Sequence, residues 1–336
     1  MQAQSASARM MGMVNGYLVS QSLYVAATLG IADLLAGGPR AVEELALDTG
    51  AQEDSLYRLL RALAAAGVFH EDASRRFALT ELGDCLRSDA AEPVGRWAAN
   101  IGRPYVWAAA GDLLHSVQTG ESGFRHVHGT DAWTYRASRP DESVIFDRAM
   151  ADLSRRAAAG VVAAYPFGDF RRIVDVGGGS GMLLAAILAA NPGVNGVLFD
   201  QPHVVAAAPA VLSKAGVLDR CEIVGGSFFD TVPTGGDAYV LKSVLHDWNT
   251  EYAGAILRTC RAAIPVGAKL LAVERVIGPP NEVPVSKFTD LNMLVMLGAQ
   301  ERTEQQFAAL FAASGFTLKG VLPATSEFCI IEAEPS

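Results

Sequence analysis

The stretch Ile173-Val174-Asp175-Val176, followed by Gly177-Gly178-Gly179-Ser180-Gly181 and the apolar run Met182 to Ala190, constrains this chain more than any other. It reads as a buried strand, a glycine turn and a helix start. In that geometry backbone N–H groups and a helix N-terminus can approach a ligand closely. A glycine pattern alone is weak evidence and points only to a nucleotide-like ligand.

The residues beyond the turn narrow the choice. The next apolar strand, Gly196 to Phe199, ends in Asp200, a carboxylate placed to accept hydrogen bonds from both hydroxyls of a ribose. That fits NAD and S-adenosylmethionine equally. No basic residue lies between Gly177 and Gly193 to neutralise a pyrophosphate, whereas the acidic Asp175 suits the ammonium end of a cationic amino-acid ligand, which favours S-adenosylmethionine. A third apolar strand, Ala238 to Leu241, runs into Lys242, Ser243, His246, Asp247 and Trp248, so polar chemistry gathers at the carboxyl ends of the strands.

Taken in order, VDVGGGSG, FDQPHVV, GGSFFD, LKSVLHDW, the strand ending in Glu274, and DLNMLVMLGAQERTEQQF resemble the small-molecule O-methyltransferases of the caffeic acid O-methyltransferase type and their bacterial antibiotic-tailoring branch. The resemblance implies an α/β fold. A Rossmann-like seven-stranded S-adenosylmethionine-binding domain is expected over 166–336, a winged-helix-like dimerisation domain over 1–95, and a helical linker contributing to the acceptor pocket over 96–165.

It also implies roles for particular residues. Gly177 and Gly179 border the methionine part of the cofactor, Asp200 the ribose, and Ser227 and Phe228 the adenine, with Lys242 on its far side; Ser154, Gln201 and Ser243 complete the pocket. Ser227 departs from the plant members, which carry an Asp in that stretch, so any adenine contact there lacks charge assistance. Trp248 covers the base or belongs to the core. Trp107, Phe146, Met150, Asp247, Asn292 and Met296 are expected at a small aromatic acceptor, Asn292 and Met296 sharing a helix face at i, i+4.

Methyl transfer to a hydroxyl requires alignment of the oxygen and removal of its proton. A phenol with a pKa of about 10 is mostly neutral at neutral pH, so a positioned base helps. His246 stands where that base belongs, and an ordinary imidazole near pKa 6.5 is neutral enough to accept a proton. Glu274 is expected to orient it, with Glu301 as a second flanking carboxylate by resemblance.

Two other classes compete with this one. Relatives of this fold use the cofactor for hydroxylation, decarboxylation or pericyclic steps, and fold does not fix chemistry. A winged helix also suggests a DNA-binding regulator. The candidate recognition helix, however, opens with Glu53 and Asp54 against only Arg58 and Arg61, and the whole chain carries 36 acids to 27 bases, a net charge of −9. A groove reader needs a basic face, so nucleic acid is not expected as a partner.

With 336 residues, half of them hydrophobic and 19% charged, the chain can bury two cores. No apolar run is long enough for a membrane span, and the N-terminus lacks the features of a secretory signal. Cys85, Cys221, Cys260 and Cys329 are too scattered for a zinc motif or a disulfide framework, which fits a reducing cytoplasm. His126 and His128 are expected on a surface loop, with no carboxylate or Cys at ligand spacing, so no metal is assigned.

Overall fold

The computed structural model describes residues 5–282 and 284–336. The chain forms two compact units, the first reaching to Trp107 and including Arg136–Leu153, the second comprising Ala108–Tyr135 and Ser154–Ser336. The stretch 96–165 is thus divided between them, and its longest helix, Pro140–Ala164, passes from one to the other.

The first unit opens with three helices, Ala6–Val14, Gly16–Thr28 and Ile31–Leu34. Asn15 ends one helix and starts the next, and Gly30 takes a left-handed φ of 66° that stops the second. The strand β1 (Arg40–Ala41) precedes helices Val42–Thr49 and Glu53–Ala65. The second of these buries Leu56, Leu60 and Leu63, spaced to lie on one face. A hairpin of β2 (Phe69–Glu71) and β3 (Arg76–Leu79) completes a three-stranded sheet in the order β1-β3-β2. Ile31, Leu45, Leu60, Phe69 and Phe77 form its core, as a winged-helix-like domain requires.

The second unit is built on β4 (Arg172–Val176), β5 (Asn195–Asp200), β6 (Cys221–Gly225), β7 (Ala238–Lys242), β8 (Lys269–Glu274), β9 (Phe316–Pro323) and β10 (Cys329–Pro335). They form the expected seven-stranded sheet, ordered β6-β5-β4-β7-β8-β10-β9. The first five are parallel, and β10 runs antiparallel between β8 and β9. Apolar residues point alternately to the two faces. Ile173 and Val240 pack with Leu184 and Leu188 on one side; Val174, Tyr239 and Leu241 pack with Ile256, Leu257, Phe307 and Phe311 on the other. Burial on both faces is why these strands read as continuous hydrophobic runs.

From β4 the chain steps to β5 and β6 on one side, then returns to β7 on the other. Open α/β sheets receive ligands at the carboxyl ends of strands beside such a reversal, which here are the ends of β4 and β7.

Candidate active site

The glycine turn leaves β4 with φ of 71° at Gly177, where a Cβ would fall 2.8 Å from the Val244 side chain. Only glycine fits both conditions. The turn is fixed by the N–H groups of Gly177 and Gly178 donating to Phe199 O, and by Gly179 N donating to Asp200 Oδ2 at 2.9 Å. Asp200 Oδ1 also accepts from Gln201 N at 2.6 Å. The strand-end carboxylate is therefore held in place by backbone beside the turn.

Asp175 lies one residue before β4 ends and is 2% exposed. Among the described residues neither of its carboxylate oxygens has a hydrogen bond of good geometry, the Leu184 N–H offering only a weak contact. Burial pushes its pKa up to about 7, against the pull of Lys242 and with a further push from Asp200. An unsatisfied buried carboxyl beside a ligand crevice is costly unless a cation meets it.

Lys242, at the end of β7, donates to Ser154 Oγ at 3.2 Å and Ser243 Oγ at 3.3 Å. Burial depresses its ammonium to a pKa of about 8, while Glu274 works in the opposite direction. Ser243 takes a φ of 54°, unusual for a residue with a side chain, and turns the chain sharply out of the strand. Ser227 Oγ accepts from Phe229 N at 3.2 Å. Phe228, Phe229, Trp248 and Tyr252 form an aromatic cluster, with Trp248 edge-on to Phe229 at 4.8 Å and to Phe228 at 6.1 Å. Trp248 also packs against the sheet core, so the core reading of this residue has structural support.

His246 sits in the short 3-10 turn Leu245–Asp247 that follows β7, and it is buried. Its Nδ1 lies 3.2 Å from Glu301 Oε1 and 3.5 Å from Glu274 Oε2; its Nε2 lies 3.3 Å from Asp247 Oδ1. Glu274, at the tip of β8, uses its other oxygen to accept from the N–H groups of Val244 and Leu245 at 2.9 and 2.8 Å. One carboxylate thereby fixes the backbone that carries the imidazole and sets a charge beside its ring.

The electrostatics differ from the sequence expectation of an ordinary, largely neutral imidazole. Burial disfavours the charged ring, but Glu274 and Asp247, with hydrogen bonds to Asp247 and Glu301, outweigh it and hold the pKa well above its usual value. Glu274 is itself raised by burial, with His246 opposing and Glu301 reinforcing the rise.

Two supports escaped the sequence reading. The guanidinium of Arg302, 1% exposed, donates to Leu245 O at 2.7 Å and Trp248 O at 2.8 Å, clasping the turn on both sides of His246. Asp290 Oδ1 accepts from Glu301 N at 2.8 Å and so positions the second carboxylate. The helix Pro284–Leu297 that carries Asp290 also carries Asn292, half-buried, and Met296, buried, and it packs against the His246 turn. Adjacency of Arg302 to Glu301 was the one available signal.

The structure thus brings together Ser154, Gly177, Gly179, Asp200, Gln201, Lys242, Ser243, His246, Asp247, Glu274 and Glu301 in the second unit, with Ser227 and Phe228 after β6. Trp107, Phe146 and Met150 belong to the first unit.

A domain model described as an O-methyltransferase domain matches residues 110–317, and one described as an O-methyltransferase dimerisation domain matches residues 11–89. The chain belongs to the O-methyltransferase family. The methyltransferase is 47% identical over 329 residues to phenazine O-methyltransferase PhzM of Lysobacter antibioticus, covering 98% of this chain and 96% of the relative. A crystal structure of LaPhzM superposes with a TM-score of 0.95 at 46% identity, covering 99% and 100% of the two chains. A structure of NcsB1, from neocarzinostatin biosynthesis, with S-adenosylmethionine and 2-hydroxy-5-methyl naphthoic acid aligns at TM-score 0.81 and 35% identity, covering 95% and 96%.

The enzyme uses S-adenosylmethionine, and its own residues fit that cofactor. The unsatisfied Asp175 carboxyl suits a cationic ligand, the glycine turn leaves room where a Cβ would intrude, and Asp200 presents a fixed acceptor at the neighbouring strand tip. The family match assigns the N-terminal region to dimerisation, which leaves the DNA-binding alternative without support. Among the described residues, no helix is long and apolar enough to cross a membrane.

Proposed function

We propose that the methyltransferase transfers a methyl group to a phenolic or enolic hydroxyl of a planar aromatic acceptor, with His246 as general base. The observation that carries this reading is the buried imidazole whose Nδ1 faces two carboxylates while its Nε2 faces the partly exposed Asp247. S-adenosylmethionine, when bound, supplies a methyl group on a sulfonium that is already a good leaving group.

In its neutral form, with the proton on Nδ1, His246 takes the hydroxyl proton at Nε2, exchanging its contact with Asp247 for one with the acceptor. Glu274 and Glu301 keep the Nδ1 proton in place and stabilise the imidazolium that results. A raised imidazole pKa brings base and phenol closer, so the proton transfer is less uphill than to an ordinary histidine. Lys242, Ser154 and Ser243 border the adenine side of the cofactor, with Gln201, Ser227 and Phe228 around the base. In the second unit, Asn292 and Met296 wall the acceptor.

The aromatic acceptor class is supported by the named relatives, one a phenazine O-methyltransferase and one crystallised with a naphthoic acid. The direct test is S-adenosylhomocysteine release with hydroxyphenazines, hydroxynaphthoates and an aliphatic alcohol. Turnover is expected with members of the first two groups, and turnover of the aliphatic alcohol alone would refute the assignment.

Asp200→Ala is expected to weaken the cofactor by roughly 10–100-fold, since hydrogen bonds to a charged acceptor contribute about 1.5–3 kcal/mol, while kcat at saturating cofactor falls less. Calorimetric titration of the variant checks this, and unchanged affinity would remove Asp200 from the ribose site.

Asp175 gives a pH signature. Its pKa near 7 means that the carboxylate facing the cationic end of the cofactor is lost as pH falls through about 7. Cofactor affinity should therefore decline from slightly alkaline to slightly acidic pH in the wild type. The decline should be flattened in Asp175→Asn, and an identical slope in both proteins would exclude the contact.

The enzyme is further proposed to act as a homodimer through its N-terminal unit. The dimerisation-domain match supports this, as does the helix Ala6–Val14, which buries none of its residues and leaves Met10, Met11 and Met13 exposed. The four cysteines are all free, in keeping with work in the cytoplasm.

A further inference from the structure

We propose that Asp112, His115 and His126 form a divalent transition-metal site of the zinc class, separate from the active site, with Glu121 as a fourth ligand. The sequence pattern places His126 on a loop with no partner at ligand spacing. The structure instead puts it on the helix Gly123–His128, against His115 on the helix Leu113–Thr119.

The two imidazoles stack face to face, with centroids 3.8 Å apart and planes 9° from parallel. Asp112 occupies the N-cap position of its helix but makes no side-chain cap; its Oδ2 turns instead to His126 Nδ1 at 2.8 Å. His115 Nε2 is shielded from solvent with no hydrogen-bond partner among the described residues, and Glu121 Oε2 stands 3.8 Å from it.

One ligand atom from each of Asp112, His115 and His126 lies within 4.8 Å of the others. A tetrahedral ion bound at about 2.0–2.2 Å holds its ligands roughly 3.4 Å apart and lies in the plane of each imidazole, so binding requires the exposed His126 ring to turn out of the stack until its nitrogen faces the same point as that of His115. Two nitrogens and two carboxylates suit zinc better than calcium or magnesium, which take oxygen alone. Both short helices pack against the helix Pro284–Leu297, and Ser122, between them, donates to Val295 O at 3.0 Å. A bound ion would brace the support of that helix.

The test titrates tag-free, chelator-stripped full-length protein with zinc sulfate, reading stoichiometry by calorimetry and ligation by X-ray absorption at the zinc edge. One equivalent per chain with nitrogen and oxygen ligands is expected, together with a rise in Tm. His115→Ala and His126→Ala should each weaken binding by more than the roughly 10–100-fold typical of losing an outer-shell partner, while metal-free Tm and circular dichroism stay those of the parent. His246→Ala, which disrupts the other histidine–carboxylate cluster, should bind as the parent does. Absence of zinc uptake at micromolar concentration, unchanged binding in both surface variants, or loss of binding in His246→Ala would each overturn the assignment. Zinc binding in the His115 and His126 variants is read by calorimetry alone, and methyl transfer by His246 is measured separately.

Discussion

His246→Ala is expected to lower kcat by about 10²–10⁴-fold while cofactor affinity stays as in the parent, because the imidazole acts on the acceptor's proton and makes no contact required for holding the donor. The pH profile is the sharper test. The imidazole's pKa is held well above its ordinary value, so below that pKa the ring must lose a proton before it can accept one. kcat/KM should therefore climb with pH along a limb centred well above the ordinary histidine value of about 6.5, and that limb should vanish in the alanine variant. A wild-type profile flat from roughly pH 6 to pH 9, or a variant that keeps the ascending limb, would show that the acceptor ionises unaided and that alignment carries the rate.

Arg302→Met should have the largest effect on stability. The guanidinium is fully buried, satisfies two carbonyls that flank His246–Asp247, and lies in the field of Glu274 and Glu301. Removing one member of a buried charge network costs about 3–5 kcal/mol, since its partners stay buried and uncompensated. The expected fall in Tm is on the order of 10 °C. Arg302→Lys should recover only part of it, because a single ammonium cannot span both carbonyls as a planar fork does. Below its Tm the Met variant should also turn over more slowly, with the base no longer clasped. Scanning calorimetry together with kcat decides the matter, and a parent-like Tm with full turnover would dismiss the clasp.

Much of the catalytic unit was legible in the sequence because its strands are buried on both faces. Runs such as Ile173 to Val176 and Ala238 to Leu241 have no other reading at that length, and the polar residues ending them fall at the sheet's carboxyl edge by topology alone. Glu274 was found in the same way, as the last residue of a strand. Arg302 was not, since its partners at Leu245 and Trp248 lie more than fifty residues away and nothing in local periodicity encodes such a reach. The raised pKa of His246 was equally hidden, because it depends on three carboxylates converging from Asp247, β8 and the segment before the last helix. In the stretch after Glu92 several helices span only six to eight residues, too short for a clear period, so the placement of His126 on a helix was not legible.

The antiparallel pair β9–β10 has a bearing on solubility during folding. An open sheet border offers unpaired backbone groups to any neighbouring polypeptide, and long flat borders promote polymerisation. Here the outermost strand, β9, carries Lys319, paired with Glu334 at 3.0 Å, ends in Pro323, and meets its neighbour through a register irregularity at Glu332/Ala333. Charge, a missing amide hydrogen and a local kink together make this flank a poor template for the addition of a foreign strand.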